Sequence, residues 1–163
     1  MDDKMEVNNN RAVKDDIPVP DLSSEKEKVQ MERKELSNDI QGTETILVVE
    51  DEEQVRELVI EMLKTYGYKV LGASNGKKAI EIYNKKCDDI RLILTDVVMP
   101  EMGGRKLIES LVNFKEGTKV LYMSGYTDNA IDEQGILAPG TEFIQKPFSP
   151  FDLLKKIRQV IDG

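Results

Sequence analysis

The chain has no histidine and no tryptophan, a single cysteine, and an aromatic complement of only five tyrosines and four phenylalanines in 163 residues. Without histidine it lacks the commonest general base and metal ligand, so any chemistry it performs rests on carboxylates, lysine and hydroxyls. The lone Cys87 has no partner for an intramolecular disulfide and no second thiol to resolve an oxidised form. It reads as an inert boundary residue rather than a redox sensor. No charged start leads into an apolar signal segment, and no apolar run approaches the length of a bilayer span. The expectation is a soluble, cytoplasmic segment with no membrane insertion of its own, although it could be cut from a membrane-linked parent. Positive charge is in deficit, with 23 Lys and Arg against 31 Asp and Glu and a net charge of -8. That balance speaks against direct DNA binding, because a phosphate backbone is gripped by excess Lys and Arg.

What is present divides the chain in two. Residues 1–43 contain no aromatic residue, carry many charges of both signs and include Ile17-Pro18-Val19-Pro20. They lack the means to build a core and read as a flexible charged N-terminal tail or linker. Within them Ser24-Glu25-Lys26-Glu27 fits a capping box, and Leu22, Val29 and Leu36 recur every seven residues with Ile40 following, which predicts a short helix over 25–38. Two heptads are too few to hold a coiled coil, so the helix is either solvated and without a partner or a coupling and dimerising element.

From residue 44 to 163 the texture becomes that of a single domain. Apolar runs at Ile46 to Val49, Val70 to Leu71, Leu92 to Leu94, Val120 to Met123 and Phe143 to Ile144 alternate with helical patterns. Val55, Leu58, Val59, Met62, Leu63 and Tyr66 fall at the spacing of one helix face, as do Leu107, Ile108, Leu111 and Val112. The last helix carries Leu153, Leu154, Ile157, Val160 and Ile161 on one side and opens on Ser149-Pro150-Phe151-Asp152, a cap residue, a proline at the first helical position and an acid shortly after. Five strands alternating with five helices predict an α/β fold with a doubly wound parallel sheet covered on both faces. The stretch Asp128 to Leu137 is the weakest helix, since Gly135 within it costs about 1 kcal/mol against alanine.

Right-handed crossovers place all strand C-termini along one edge, where such folds bind ligands. Strand one ends in Glu50-Asp51-Glu52, strand three in Asp96, strand four in Ser124 and strand five in Gln145-Lys146-Pro147. Any one of these is an ordinary loop residue or cap, but together they bring carboxylates, a hydroxyl and an ammonium to one place. Packed carboxylates repel unless a cation sits among them. Mg²⁺ suits such a set, because it takes a few carboxylates plus waters and keeps positions for a phosphoryl oxygen. The set fits transfer of a phosphoryl group onto an aspartate, with metal and lysine neutralising charge in the transition state.

Four motifs in order, "ILVVEDEE", "LILTDVVMP", "VLYMSGYT" and "FIQKPFS", resemble the receiver domain of two-component response regulators, over 44–163. The resemblance implies a flavodoxin-like (CheY-like) fold with strand order 2-1-3-4-5. It implies Asp96 as phosphoacceptor and Mg²⁺ held by Glu50, Asp51, Asp96 and the backbone carbonyl of Val98. Ser124 then corresponds to the switch hydroxyl, Lys146 to the conserved-type lysine before a cis proline, and Phe143 to the aromatic switch residue. The implied partner is a histidine kinase or a histidine phosphotransfer protein, and the implied output surface is the helix after strand four, strand five and the last helix, which also offers a weak dimer contact. "LTDVVMP", "MSGYT" and "KPFSP" look most like receivers attached to hybrid sensor histidine kinases, with a standalone regulator as the alternative.

The chain departs from the family pattern in three places. Glu50 replaces the frequent Asp, Ser124 the frequent Thr, and Gly103 a residue that would cap the next helix. Val98, two beyond the phosphoacceptor, has no polar side chain to guide water, so the phosphoryl group is expected to persist. A haloacid-dehalogenase-like phosphatase is the enzyme rival; Asp51-Glu52-Glu53-Gln54-Val55 nears its nucleophile motif but puts Glu53 where Asp is required. In a flavodoxin-like cofactor binder the first loop must cradle phosphate, which Glu50-Asp51-Glu52-Glu53 repels. A phosphorylation-independent docking module is the third rival.

Overall fold

A computed structural model of the chain describes residues 22–126, 131 and 135–163. Among them the elements run α1 (Leu22–Asp39), β1 (Thr45–Val49), α2 (Glu53–Thr65), β2 (Lys69–Ala73), α3 (Gly76–Lys86), β3 (Ile90–Asp96), α4 (Gly104–Glu109), β4 (Lys119–Ser124), β5 (Phe143–Gln145) and α5 (Pro150–Asp162). The sheet order is β2-β1-β3-β4-β5 and every pairing is parallel. The weak helix expected over 128–137 falls largely outside the described residues.

Successive residues of a strand point to opposite faces, and here both faces are covered. Ile46, Val48, Leu92, Leu94, Leu121 and Met123 pack with Val59 and Leu63 of α2 and Leu153, Leu154 and Ile157 of α5. Leu47, Val49 and Ile93 pack on the other side with Ala79 and Tyr83 of α3 and Leu107 of α4. This is why the central strands read as unbroken apolar runs rather than alternating ones. The start of α5 is capped as its sequence suggests: the Asp152 amide donates to Ser149 Oγ at 3.1 Å and the Ser149 amide to Asp152 Oδ2 at 3.3 Å. Such a box stabilises a helix start by about 1 kcal/mol.

Two expected core positions are corrected. Leu58 is 68% exposed, because the buried stripe of α2 is centred on Val59 and Leu63 and leaves Leu58 beyond its margin. Val112 is 92% exposed. The helix that was to carry it stops at Glu109, where Ser110 ends the turn with its amide on Lys106 and Leu107 carbonyls and its hydroxyl donating to Lys106 O at 2.6 Å. The N-terminal helix is longer than expected, and its Val29, Met31 and Leu36 are exposed.

Ile40, just after α1, is buried in the cluster shared by α2 and α5. Tyr68 Oη donates to its carbonyl at 3.2 Å, and the Gly42 amide donates to Tyr66 O at 3.2 Å. Arg158 of α5 closes the corner by donating through Nη1 to both Glu44 oxygens at 2.8 and 2.9 Å. Partial burial pushes the Glu44 carboxyl up, but hydrogen bonds and charge from Arg158 with nearby amides outweigh it and leave it below the ordinary carboxylate value. A lowered folded value means the clamp contributes stability above the unfolded carboxylate pKa and loses it as pH falls through the folded one. Between about pH 6 and pH 3 the wild type should therefore surrender up to about 1 kcal/mol that Glu44→Gln never had. Thermal melts that fall in parallel for the two proteins across that window would refute this.

Candidate functional site

Because all five strands run parallel, β1, β3, β4 and β5 release their last residues at one edge of the sheet. Asp96 is the last residue of β3 and stands beside Met123 of β4; Ser124 stands beside Gln145 of β5, immediately before Lys146. Glu50 is 2% exposed and Ser124 1%, Asp96 is also buried, and Asp51 opens to solvent. One carboxylate oxygen each from Glu50, Asp51 and Asp96 can be chosen so that all lie within 4.8 Å of one another.

Lys146 ties this group together. Its Nζ donates to Asp96 Oδ2 at 2.6 Å and to Glu50 Oε2 at 3.1 Å. Its backbone amide donates to Ser124 O at 2.7 Å, and the bond to Pro147 is cis, as the resemblance implied. The remaining carboxylate oxygens are held by backbone: Glu50 Oε1 accepts from the Glu52 amide at 3.2 Å and Asp96 Oδ1 from the Val98 amide at 3.1 Å. Burial pushes the Glu50 carboxyl above its ordinary value despite the opposing ammonium of Lys146 and amide of Glu52. Burial alone would lower the Lys146 ammonium, but its bonds to Asp96 and Glu50 outweigh that and raise it. Lys146 is thus held as the charged ammonium, one cation facing a group of three acidic side chains. Such a group of acids could hold a divalent, oxygen-seeking cation, with exposed Asp51 on the solvent side.

The other expected residues are placed differently. Ser124 Oγ accepts from the Tyr126 amide at 3.0 Å, which frees its proton for donation elsewhere. Val98 touches Asp96 through its amide, and the residue is 60% exposed. Phe143 is partly buried against Val97, Tyr122, Ile131 and Leu137.

Two residues escaped the sequence reading. Arg56 Nη1 donates to the Glu50 carbonyl at 2.8 Å; its only signal was a basic residue soon after an acidic turn. Gly104 lies so close to the end of β3 that a Cβ would stand 2.3 Å from Asp96 O, a contact between backbones that leaves no pattern beyond the Gly103-Gly104 pair.

Residues 46–158 match the family model described as the response regulator receiver domain. The chain belongs to that family. Its relatives include a sensor kinase, CckA, of Brucella abortus, 32% identical over 148 residues that cover 91% of this chain and 15% of the kinase. The chemotaxis protein CheY of Thermotoga maritima is 30% identical, with 71% of this chain and 95% of that protein covered. Among solved structures, the receiver domain of hybrid histidine kinase CckA superposes with a TM-score of 0.61 at 30% identity, over 72% of this chain and 98% of that one. The chain thus spans a small part of the kinase, and 47% of a Bacillus subtilis transcriptional regulatory protein, YrkP, that it also resembles. It is a receiver domain with an acidic cluster at its strand edge, and no helix among the described residues is long and apolar enough to cross a membrane.

Proposed function

We propose that this receiver takes a phosphoryl group from a phosphohistidine of a histidine kinase or histidine phosphotransfer protein onto Asp96. The observation that carries the reading is the ammonium of Lys146 bridging Asp96 and Glu50 beside Asp51. An Asp96 oxygen attacks phosphorus as the P–N bond to the donor breaks, and the imidazole, protonated on its other nitrogen, leaves neutral. Lys146, already paired with Asp96, follows the growing charge on the phosphoryl oxygens, and Ser124 donates its hydroxyl proton to one of them. Glu50, Asp51, Asp96 and the Val98 carbonyl would hold Mg²⁺, which when bound neutralises phosphoryl oxygen charge. The phosphorylated aspartate then draws Ser124 inward and Phe143 after it, altering the surface of the segment after β4, β5 and α5. That surface is also where a weak dimer would form. The domain works in the cytoplasm and does not bind DNA itself.

Incubation with acetyl phosphate and Mg²⁺ tests this by intact mass. The wild type should gain one phosphoryl group and Asp96→Asn none. Uptake by the variant, or continuous substrate turnover dependent on Asp51 as nucleophile, would overturn the reading. With apolar Val98 beside the acceptor, the group should outlast seconds with Mg²⁺ present.

The receiver of a hybrid sensor histidine kinase is the preferred setting over a standalone regulator. The likeness to the Brucella kinase covers 91% of this chain, more than the receiver alone, and so runs into the segment before residue 44. A reading frame that continues upstream into a kinase would decide for it.

A further inference from the structure

We propose that Arg56 is a positioning residue, whose guanidinium holds the Glu50–Asp51 peptide so that both carboxylates face the same divalent cation as Asp96. The inference rests on the receiver reading above. The Glu50 carbonyl belongs to the peptide plane that joins the two acids, so holding it restrains the backbone torsions on either side and with them the directions in which both side chains leave the backbone. Every other polar group of Glu50 is already engaged: its amide donates to Ala73 O of β2 at 3.1 Å, and its carboxylate accepts from Glu52 and Lys146. The carbonyl is the one polar group of Glu50 that remains, and Arg56 Nη1 takes it at 2.8 Å.

The choice of partner is informative. Arg56 lies among Glu52, Glu53 and Glu57, yet among the described residues it forms no ion pair and spends its charge on a backbone oxygen. Its stem runs over β2 at Gly72, where a Cβ would lie 3.9 Å from Arg56 Cδ. Groups that orient ligands from behind commonly change metal affinity ten- to a hundredfold when removed.

Coulomb's law gives the opposite sign. A cation near a divalent ion repels it, so if Arg56 were merely a nearby charge, its removal would tighten Mg²⁺ binding. Calorimetric Mg²⁺ titration of wild type, Arg56→Gln and Arg56→Met separates the two, and either neutral variant that folds carries the test. The dissociation constant should rise about tenfold or more. Arg56→Lys, which can still reach a carbonyl, should recover most of it. At saturating Mg²⁺ the maximal rate of phosphoryl uptake from acetyl phosphate should return to near the wild-type value, so that the metal requirement shifts and the maximum does not. Unchanged or tighter binding in a folded neutral variant overturns the role of Arg56 and leaves the receiver reading standing. A wild type that binds no Mg²⁺ overturns the receiver mechanism itself.

Discussion

Gly104→Ala is expected to cost about 3 kcal/mol of stability, the upper part of the range for forcing an extra methyl into a packed interior, and to remove most phosphoryl uptake. Gly104 is the first residue of α4 and is buried. A Cβ there would stand 2.3 Å from the Asp96 carbonyl oxygen and 2.9 Å from both Cγ2 and Oγ1 of Thr95. None of these atoms is the free end of a flexible chain. Thr95 is fully buried with its hydroxyl donating to Asp96 O at 3.1 Å, and the Gly104 amide donates to Val97 O at 3.0 Å. Relief therefore requires moving α4 or the backbone of Asp96, and either should displace Asp96 from Lys146. Urea denaturation measures the first effect, and mass-detected uptake at a temperature where the variant is folded measures the second. A variant within about 0.5 kcal/mol of wild type that is labelled at the wild-type rate would show that the contact yields.

How much of this was legible beforehand depended on whether the cause was local. The alternation of short apolar runs with helical spacing is a local property, so the five-stranded parallel sheet and the edge shared by Glu50, Asp96, Ser124 and Lys146 could be read directly. The roles of those residues could not; strand ends collect polar side chains for many reasons, and the family resemblance assigned the parts. Periodicity also says nothing about where a helix stops. The pattern continues onto Val112 and predicts a buried face there, whereas the chain leaves the helix at Ser110. Phe114 instead stacks on Tyr83 at 6.0 Å, and the Lys115 amide donates to the Tyr83 hydroxyl at 3.0 Å. Arg56 and Gly104 escape a pattern reading because what matters is their contact with backbone oxygens, of Glu50 and of Asp96, and side-chain periodicity records no backbone contact. Ile40 follows the seven-residue repeat just past the expected helix, and only the packed structure places it against Tyr68 and in the cluster of α2 and α5.

Lys146→Met should separate binding of the metal from transfer of the phosphoryl group by moving them in opposite directions. Lys146 faces Asp96 at 2.6 Å and Glu50 at 3.1 Å, so it would compete with a divalent cation for the same carboxylates. Its loss leaves three acids to repel one another, and Mg²⁺ should bind several-fold more tightly. Without metal, the Glu50 carboxylate, buried to 3% side-chain exposure, loses a charged donor. The destabilisation should be about 1–2 kcal/mol, less than for a fully buried pair because the ammonium itself reaches solvent. Added Mg²⁺ should therefore raise the melting temperature of the variant more than that of the wild type. Transfer should nevertheless fall by about 10² to 10³, the usual cost of removing one preorganised group that meets developing charge. The contrast with Arg56 is the sharper point, since both are cations beside one acidic cluster. Lys146 touches the carboxylates, so its removal should strengthen Mg²⁺ binding; Arg56 touches the backbone carbonyl between Glu50 and Asp51, so its removal should weaken it. Calorimetry on the two neutral variants in one buffer reads both signs, and weaker Mg²⁺ binding by Lys146→Met would mean that the lysine shapes the site instead of competing for its charge.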